Sequence, residues 1–186
     1  VSPSTTRRAI RWGALGVGVV LVALIVLLAT RSPSQASAFD SPLTGQPAPA
    51  TRTTTLKGAP FDLAAERGHV VVLNFFASWC GPCQSEAPQL NAFSYDQSRR
   101  ADGARLFGVV FNDADAAAAR FMTSTGGIYP ALVDPGSRIA AAWGVASPPT
   151  TYVIDSTGKV VEAFVGAMTA SELDQAVAKY QPSPGA

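Results

Sequence analysis

Cys80 and Cys83 are the only cysteines in a chain of 186 residues, and just two residues separate them. They lie in VVVLNFFASWCGPCQSEAPQL, Val70 to Leu90, directly after an apolar, strand-like run. Such a pair has four readings: a structural disulfide, half of a metal site, a redox-active dithiol, or chance. A zinc site takes four ligands, often two such pairs or added histidines, and this chain adds only His69. No metal is expected. A disulfide that closes a loop of two residues removes little entropy from the unfolded chain, so stapling is a poor use of the pair.

Redox exchange is the better reading, because the residues after Cys80 have helical spacing. Ala87, Leu90, Phe93 and Tyr95 supply an apolar face, with a kink expected at Pro88. A helix N-terminus offers unpaired N–H groups and about half a positive charge, both of which stabilise a thiolate. Cys80, at that end, is expected to have a pKa below the free value of ~8.5. Cys83, one turn inside, is expected to be more shielded and to wait as a thiol. Cys80 would attack a target disulfide and Cys83 would resolve the mixed disulfide. The reverse sequence oxidises a dithiol.

The elements that position this pair follow from pattern. HVVVLNFF, apolar on both faces, suits a strand in the middle of a sheet. TRTTTLKGAPFDLAA reads as a short strand pair turning at Gly58 to Pro60, RLFGVVF as a second central strand, and YPALVD as a short one. DADAAAARFMTST is a helix opened by acidic residues, and RIAAAWGV gives one or two helical turns. TTYVIDSTGKVVEAFVG is a hairpin around Asp155 to Gly158, and Thr169 with Glu172 forms a capping box before the apolar face of Leu173, Ala176, Val177 and Tyr180. Strands that alternate with helices and end in a hairpin and helix predict an α/β domain with a mixed sheet.

Composition narrows the partners. With 14 basic and 13 acidic residues the formal charge is +1, and no basic cluster lies beyond the first dozen residues, which argues against nucleic acid. Gly13 to Ala29, GALGVGVVLVALIVLLA, carries no charged side chain; Arg7, Arg8 and Arg11 precede it and Arg31 follows. That reads as a membrane span with a cytoplasmic N-terminus and the rest of the chain outside. A cleaved signal is the alternative, through the A-x-A-like QASA (Gln35 to Ala38) or the twin-arginine echo in TRRAIR. The expected organisation is a cytoplasmic N-terminus over 1–11, a transmembrane anchor or uncleaved signal over 12–30, a linker over 31–42, the folded domain over 43–180 and a tail over 181–186.

From Leu43 to Tyr180 the sequence resembles the thioredoxin superfamily, and within it the membrane-anchored TlpA/ResA/CcmG-like thiol:disulfide oxidoreductases. The motifs that carry the resemblance are VVVLNFFASWCGPCQSEAPQL, YPALVDPGSRIAAAWGV and PTTYVIDSTGKV, in that order. The resemblance implies a thioredoxin-like fold after the transmembrane helix, a redox-active Cys80–Cys83 disulfide, and no other cofactor. Trp79 would form an apolar rim beside Cys80, with Gly81 and Pro82 between the cysteines and Pro82 tuning the redox balance. Pro88 matches the helix proline and Pro149 the cis-proline that faces the sulfurs. Pro148, just before it, would meet substrate backbone with a carbonyl but no N–H.

Asn74 stands where cytoplasmic thioredoxins carry a buried, proton-moving Asp, and it cannot titrate. The resemblance gives that work to Glu86; as a residue on its own, Glu86 reads equally well as solvated surface. His69, at a turn, receives no role. The expected function is extracytoplasmic reduction of disulfides in selected exported proteins, with electrons from a transmembrane dithiol donor. Apocytochrome c is one target the resemblance implies, although Thr150 follows Pro149 where CcmG-like members carry an acidic residue. The rival readings are a disulfide-forming oxidase, using the same cysteines at the opposite poise, and a non-catalytic copper-binding module on the same scaffold.

Overall fold

The computed structural model describes residues 17–18, 20–23 and 36–181. The chain divides into two units, Val1–Pro33 and Ser34–Ala186. In the first, the described residues are helical. The expected span over 12–30 lies largely outside the described residues, and among the described residues no helix is long and apolar enough to cross a membrane.

The second unit is built on β4, Val71–Phe76, whose six residues are all buried. A strand covered on both faces has no need of polar alternation. Its neighbours are β5 (Arg105–Val110), parallel, and β7 (Thr150–Ile154), antiparallel. The sheet has six strands in the order β1-β8-β7-β4-β5-β6, with β1 at Ser37–Ala38, β6 at Ala131–Leu132 and β8 at Val160–Val165. β2 (Arg52–Thr54) and β3 (Pro60–Asp62) form a separate antiparallel pair. This is the mixed, thioredoxin-like α/β arrangement that the sequence implies.

Alternation along β4 divides the core. Val72 and Phe76 face α1 (Gly81–Ser98), α2 (Asp115–Ser124) and α4 (Ala170–Ala178) through Ala87, Leu90, Phe93, Phe121, Leu173 and Val177. Val71, Leu73 and Phe75 face Phe61, Leu63, Trp143 and Tyr152, beside the short α3 (Arg138–Ala142). Asn74 shares the face of Val72 and Phe76, so the pleat aims one polar side chain at α1. Slipping the register by one residue would send it to the other face.

Buried aromatic polar atoms are paired, as burial requires. The Trp143 indole N–H donates to Thr51 Oγ1 at 2.9 Å, and the Tyr152 hydroxyl donates to the Trp143 carbonyl at 2.7 Å. The Tyr152 bond ties the end of α3 to β7, on either side of the loop that carries Pro148 and Pro149, and the indole bond ties it to Thr51, just before β2. The capping box at Thr169 and Glu172 is present, as expected.

Pro88 lies inside the 18-residue α1, as expected of the helix proline. Two expectations change. Tyr95 is 54% exposed, because the apolar face of α1 follows Ala87, Leu90 and Phe93 and Tyr95 lies off that stripe. The expected linker contributes β1, whose residues pair with Phe164 and Val165 because β8 would otherwise expose an unpaired edge.

Gly108 on β5 permits a close approach at the centre of this core. A Cβ there would stand 2.8 Å from Phe76 Cε1 and 3.3 Å from Tyr129 Cε2. Phe76 is itself stacked on Phe121, with centroids 5.4 Å apart, and has little room to yield. Gly108→Ala is expected to destabilise the fold by about 1–3 kcal/mol through overpacking, read as a lower urea midpoint at unchanged m-value.

Candidate active site

The turn that leaves the C-terminal end of β4 delivers Cys80 to the N-cap of α1. Gly81 opens the helix, and Pro82 occupies the first turn, where a missing N–H costs no helical hydrogen bond. Cys80 and Cys83 are joined in a disulfide with Cα atoms 5.2 Å apart. The Cys83 N–H donates to Cys80 Sγ at 3.2 Å, so the sulfur fills the position of an N-cap oxygen.

Both cysteines are buried, at 4% and 2% exposure. The greater shielding expected for Cys83 is therefore slight, and the asymmetry between the sulfurs lies in the helix end that Cys80 caps. Gly81 is exposed, and a side chain there would meet nothing within 4 Å, so packing does not demand glycine.

Trp79 is 57% exposed beside this pair. Its indole N–H donates to the Asn112 carbonyl at 3.2 Å, and its ring lies 6.5 Å from that of Phe111. The ring is thus held at the surface rather than packed into the core, which suits the apolar rim that the sequence implies.

Pro149 is buried at the start of β7, and the Pro148–Pro149 peptide bond is cis. Phe75 pairs with Thr150, so Pro149 stands at the same end of the sheet as the turn to Cys80. The Pro149 carbonyl accepts from Gly166 N–H at 3.0 Å, and the Thr150 hydroxyl donates to the Ser147 carbonyl at 2.7 Å. Both groups are used by the fold. Pro148 is half-buried beside them.

Glu86 lies one turn beyond Cys83 on the buried side of α1 and is 1% exposed. The solvated-surface reading is overturned. Its Oε1 accepts from Met168 N–H at 2.9 Å and its Oε2 from the Asn74 amide at 3.0 Å. The same amide donates to Thr151 Oγ1 at 3.0 Å, while Asn74 Oδ1 has no hydrogen-bond partner among the described residues. Burial raises the Glu86 carboxyl to about 7, and the bonds from Met168 and Asn74 only partly oppose it. Tyr129 is also buried nearby, and burial together with the Glu86 charge pushes its hydroxyl pKa upward.

Sequence reasoning missed Thr151, Met168 and Tyr129 around Glu86, and Asn112 and Asp113 beside Trp79. None carries a local signal, since each reaches the site from a distant element. His69 lies at the opposite end of the sheet, next to the start of β4, where its Nε2 is 2.8 Å from the Arg105 guanidinium. Among the described residues no three of His, Cys, Asp or Glu are grouped to hold a metal ion.

The raised Glu86 pKa makes stability depend on pH. The folded state keeps this proton up to about pH 7, whereas a free glutamate releases it near 4.5. Stability is therefore fullest below the lower value, falls as pH rises between the two, and stays reduced above the higher one. Glu86→Gln removes the charge that burial penalises. The oxidised variant is expected to be more stable than the parent by about 1–3 kcal/mol at pH 8 and no more stable at pH 4.5; urea denaturation at the two pH values checks this.

The chain is similar to proteins already known. The Redoxin family profile matches residues 43–179. The thiol-disulfide oxidoreductase ResA of Bacillus thuringiensis is 33% identical over 138 residues, covering 74% of this chain and 79% of its own. The thiol:disulfide interchange protein HelX of Rhodobacter capsulatus is 35% identical over 136 residues, covering 72% and 74%. Among solved structures, a thioredoxin-family thiol:disulfide interchange protein of Chlorobium tepidum superposes with a TM-score of 0.66 at 28% identity, over 76% of this chain and 99% of that one. A secreted disulfide oxidoreductase of Mycobacterium tuberculosis, homologous to E. coli DsbE, gives 0.62 at 28% identity over 70% and 96%. With its paired cysteines at the head of α1 and a match over residues 43–179, the chain belongs to the Redoxin family and is a thiol-disulfide oxidoreductase of the ResA/DsbE type.

Proposed function

We propose that this oxidoreductase works as a reductant, on disulfides of selected exported proteins, from an extracytoplasmic position tethered by the apolar segment 12–30. The observation that carries the reading is the buried Glu86, one turn beyond Cys83, with a carboxyl near neutrality. A reductant must hold its second thiol protonated until the mixed disulfide has formed, and then remove that proton. A carboxyl poised near ambient pH does both.

In the reduced protein the Cys80 thiolate accepts the Cys83 N–H and attacks one sulfur of the target. A bond forms between Cys80 Sγ and that sulfur, and the other target sulfur leaves as a thiolate. Glu86 then takes the Cys83 proton. The Cys83 thiolate attacks Cys80 Sγ, expelling the second target sulfur and closing the Cys80–Cys83 disulfide. Two electrons pass to the target, which ends as a dithiol. A transmembrane dithiol donor resets the pair by the same exchange, and no further cofactor takes part.

Trp79 and Pro148 frame the approach to the sulfurs in this proposal, with Gly81 leaving the surface between them low. A target backbone meets a carbonyl at Pro148 and no N–H, so apolar contact at Trp79 carries more of its recognition. Apocytochrome c remains one target of this class. Thr150, turned inward onto Ser147, supplies no acidic group toward it.

The reduction potential tests the poise. A value well below about −200 mV, toward the −270 mV of thioredoxin, is expected, and one near the −120 mV of DsbA would make the protein an oxidase. The division of labour between the sulfurs is tested by trapping. Cys83→Ser is expected to accumulate a mixed disulfide with substrate, and accumulation with Cys80→Ser instead reverses the assignment.

A further inference from the structure

The turn ahead of Cys80 is held from outside by a loop that follows β5. The Ser78 N–H donates to Asp113 Oδ2 at 2.7 Å, and the Trp79 indole to the Asn112 carbonyl at 3.2 Å. The Ser78 carbonyl accepts from the Gln84 side chain at 3.4 Å. Both backbone groups of Ser78 are therefore taken by side chains.

Two features set this loop apart from an ordinary strand-to-helix connection. Asn112 adopts φ +43°, a conformation that costs most residues energy and that aims its carbonyl back at Trp79. Asp113 stands just before α2, whose N-cap, Ala114, has no side-chain cap. An aspartate there would ordinarily serve the helix. This one instead accepts from Ala114 N–H at 2.8 Å with one oxygen and reaches Ser78, 35 residues away in sequence, with the other.

We propose that Asp113 and Asn112 are positioning residues that fix the Trp79 rim relative to Cys80 and thereby set selectivity for extended polypeptide disulfides over small ones. The inference rests on thiol-disulfide exchange at Cys80 and is independent of whether the protein reduces or oxidises. A polypeptide must touch the rim while its disulfide meets Cys80, so its reactivity depends on their mutual placement. A small disulfide needs only the sulfur.

The test uses the full chain and compares a peptide disulfide with cystine. Asp113→Ala is expected to lower kcat/KM for the peptide about tenfold, chiefly through KM, and to change that for cystine by less than about twofold. Acrylamide quenching of Trp79, obtained by difference from the same variants carrying Trp79→Phe, is expected to rise. Asp113→Asn keeps one oxygen for Ser78 and is expected to recover most of the peptide activity; a charge effect alone would leave it as impaired as the alanine.

A second pair of variants guards against misfolding at Asp113. Asn112→Gly tolerates the positive φ and is expected to behave like the parent, whereas Asn112→Val, which resists it, is expected to show the peptide defect. Equal loss toward peptide and cystine, or unchanged peptide kcat/KM with unchanged Trp79 quenching, overturns the proposal. A reduction potential typical of an oxidase, with the peptide selectivity intact, would instead overturn only the reductant reading.

Discussion

At the start of α1 the acceptor that closes the helix is a sulfur, the Sγ of Cys80, where other helices place an oxygen. Its position depends on the strand that precedes it. The helix must begin where β4 stops, so β4 has to end at a fixed place. Burial of all six of its residues, against three helices on one face and the cluster around Phe61, Trp143 and Tyr152 on the other, secures that place. A strand so deeply packed cannot slide, because a one-residue slip would exchange its two faces.

That rigidity has a chemical consequence. A thiolate gains from aligned N–H groups only when they are already aligned, since reorienting them at the moment of reaction would consume the benefit. The disulfide and the capping hydrogen bond share the first turn, which itself starts where a fully buried strand ends. The apolar rim at Trp79 is held by Asn112, from a different element than the sulfur itself.

Beneath the sulfurs, the core contains a polar knot where a wholly apolar packing would be more stable. Glu86 from α1, Asn74 from β4, Thr151 from β7 and Met168 from the turn before α4 meet there. Burying a carboxyl costs free energy unless it is neutral or well paired. The knot gives Glu86 two donors and no cation, which leaves its pKa near neutrality instead of in the ordinary carboxylate range. A core built for stability alone would have avoided this arrangement, whereas the proton transfer proposed for Glu86 depends on it.

How much of this the chain announces in advance follows the range of the forces involved. The uninterrupted apolar run of β4, the hairpin around Asp155 to Gly158, the capping box at Thr169 and the cysteine pair at a helix start are all legible, because each is a pattern over a few consecutive residues. The motif order from Val70 to Val160 likewise points to the thioredoxin-like fold. The burial of Glu86 was not legible: a glutamate three residues after Cys83 looks the same on a wet face as on a dry one until Met168 and Asn74 close over it. Tyr95 shows the converse, an apolar ring at plausible helical spacing that the packing of α1 leaves outside. Asp113 reads as the start of a helix, and only the approach of the β5–α2 loop to Ser78 turns it toward the active-site turn. Local sequence sets which elements form, through backbone preference and periodicity; which side chains become dry, paired or poised is decided by contacts between residues dozens of positions apart, and those exist only once the sheet has assembled.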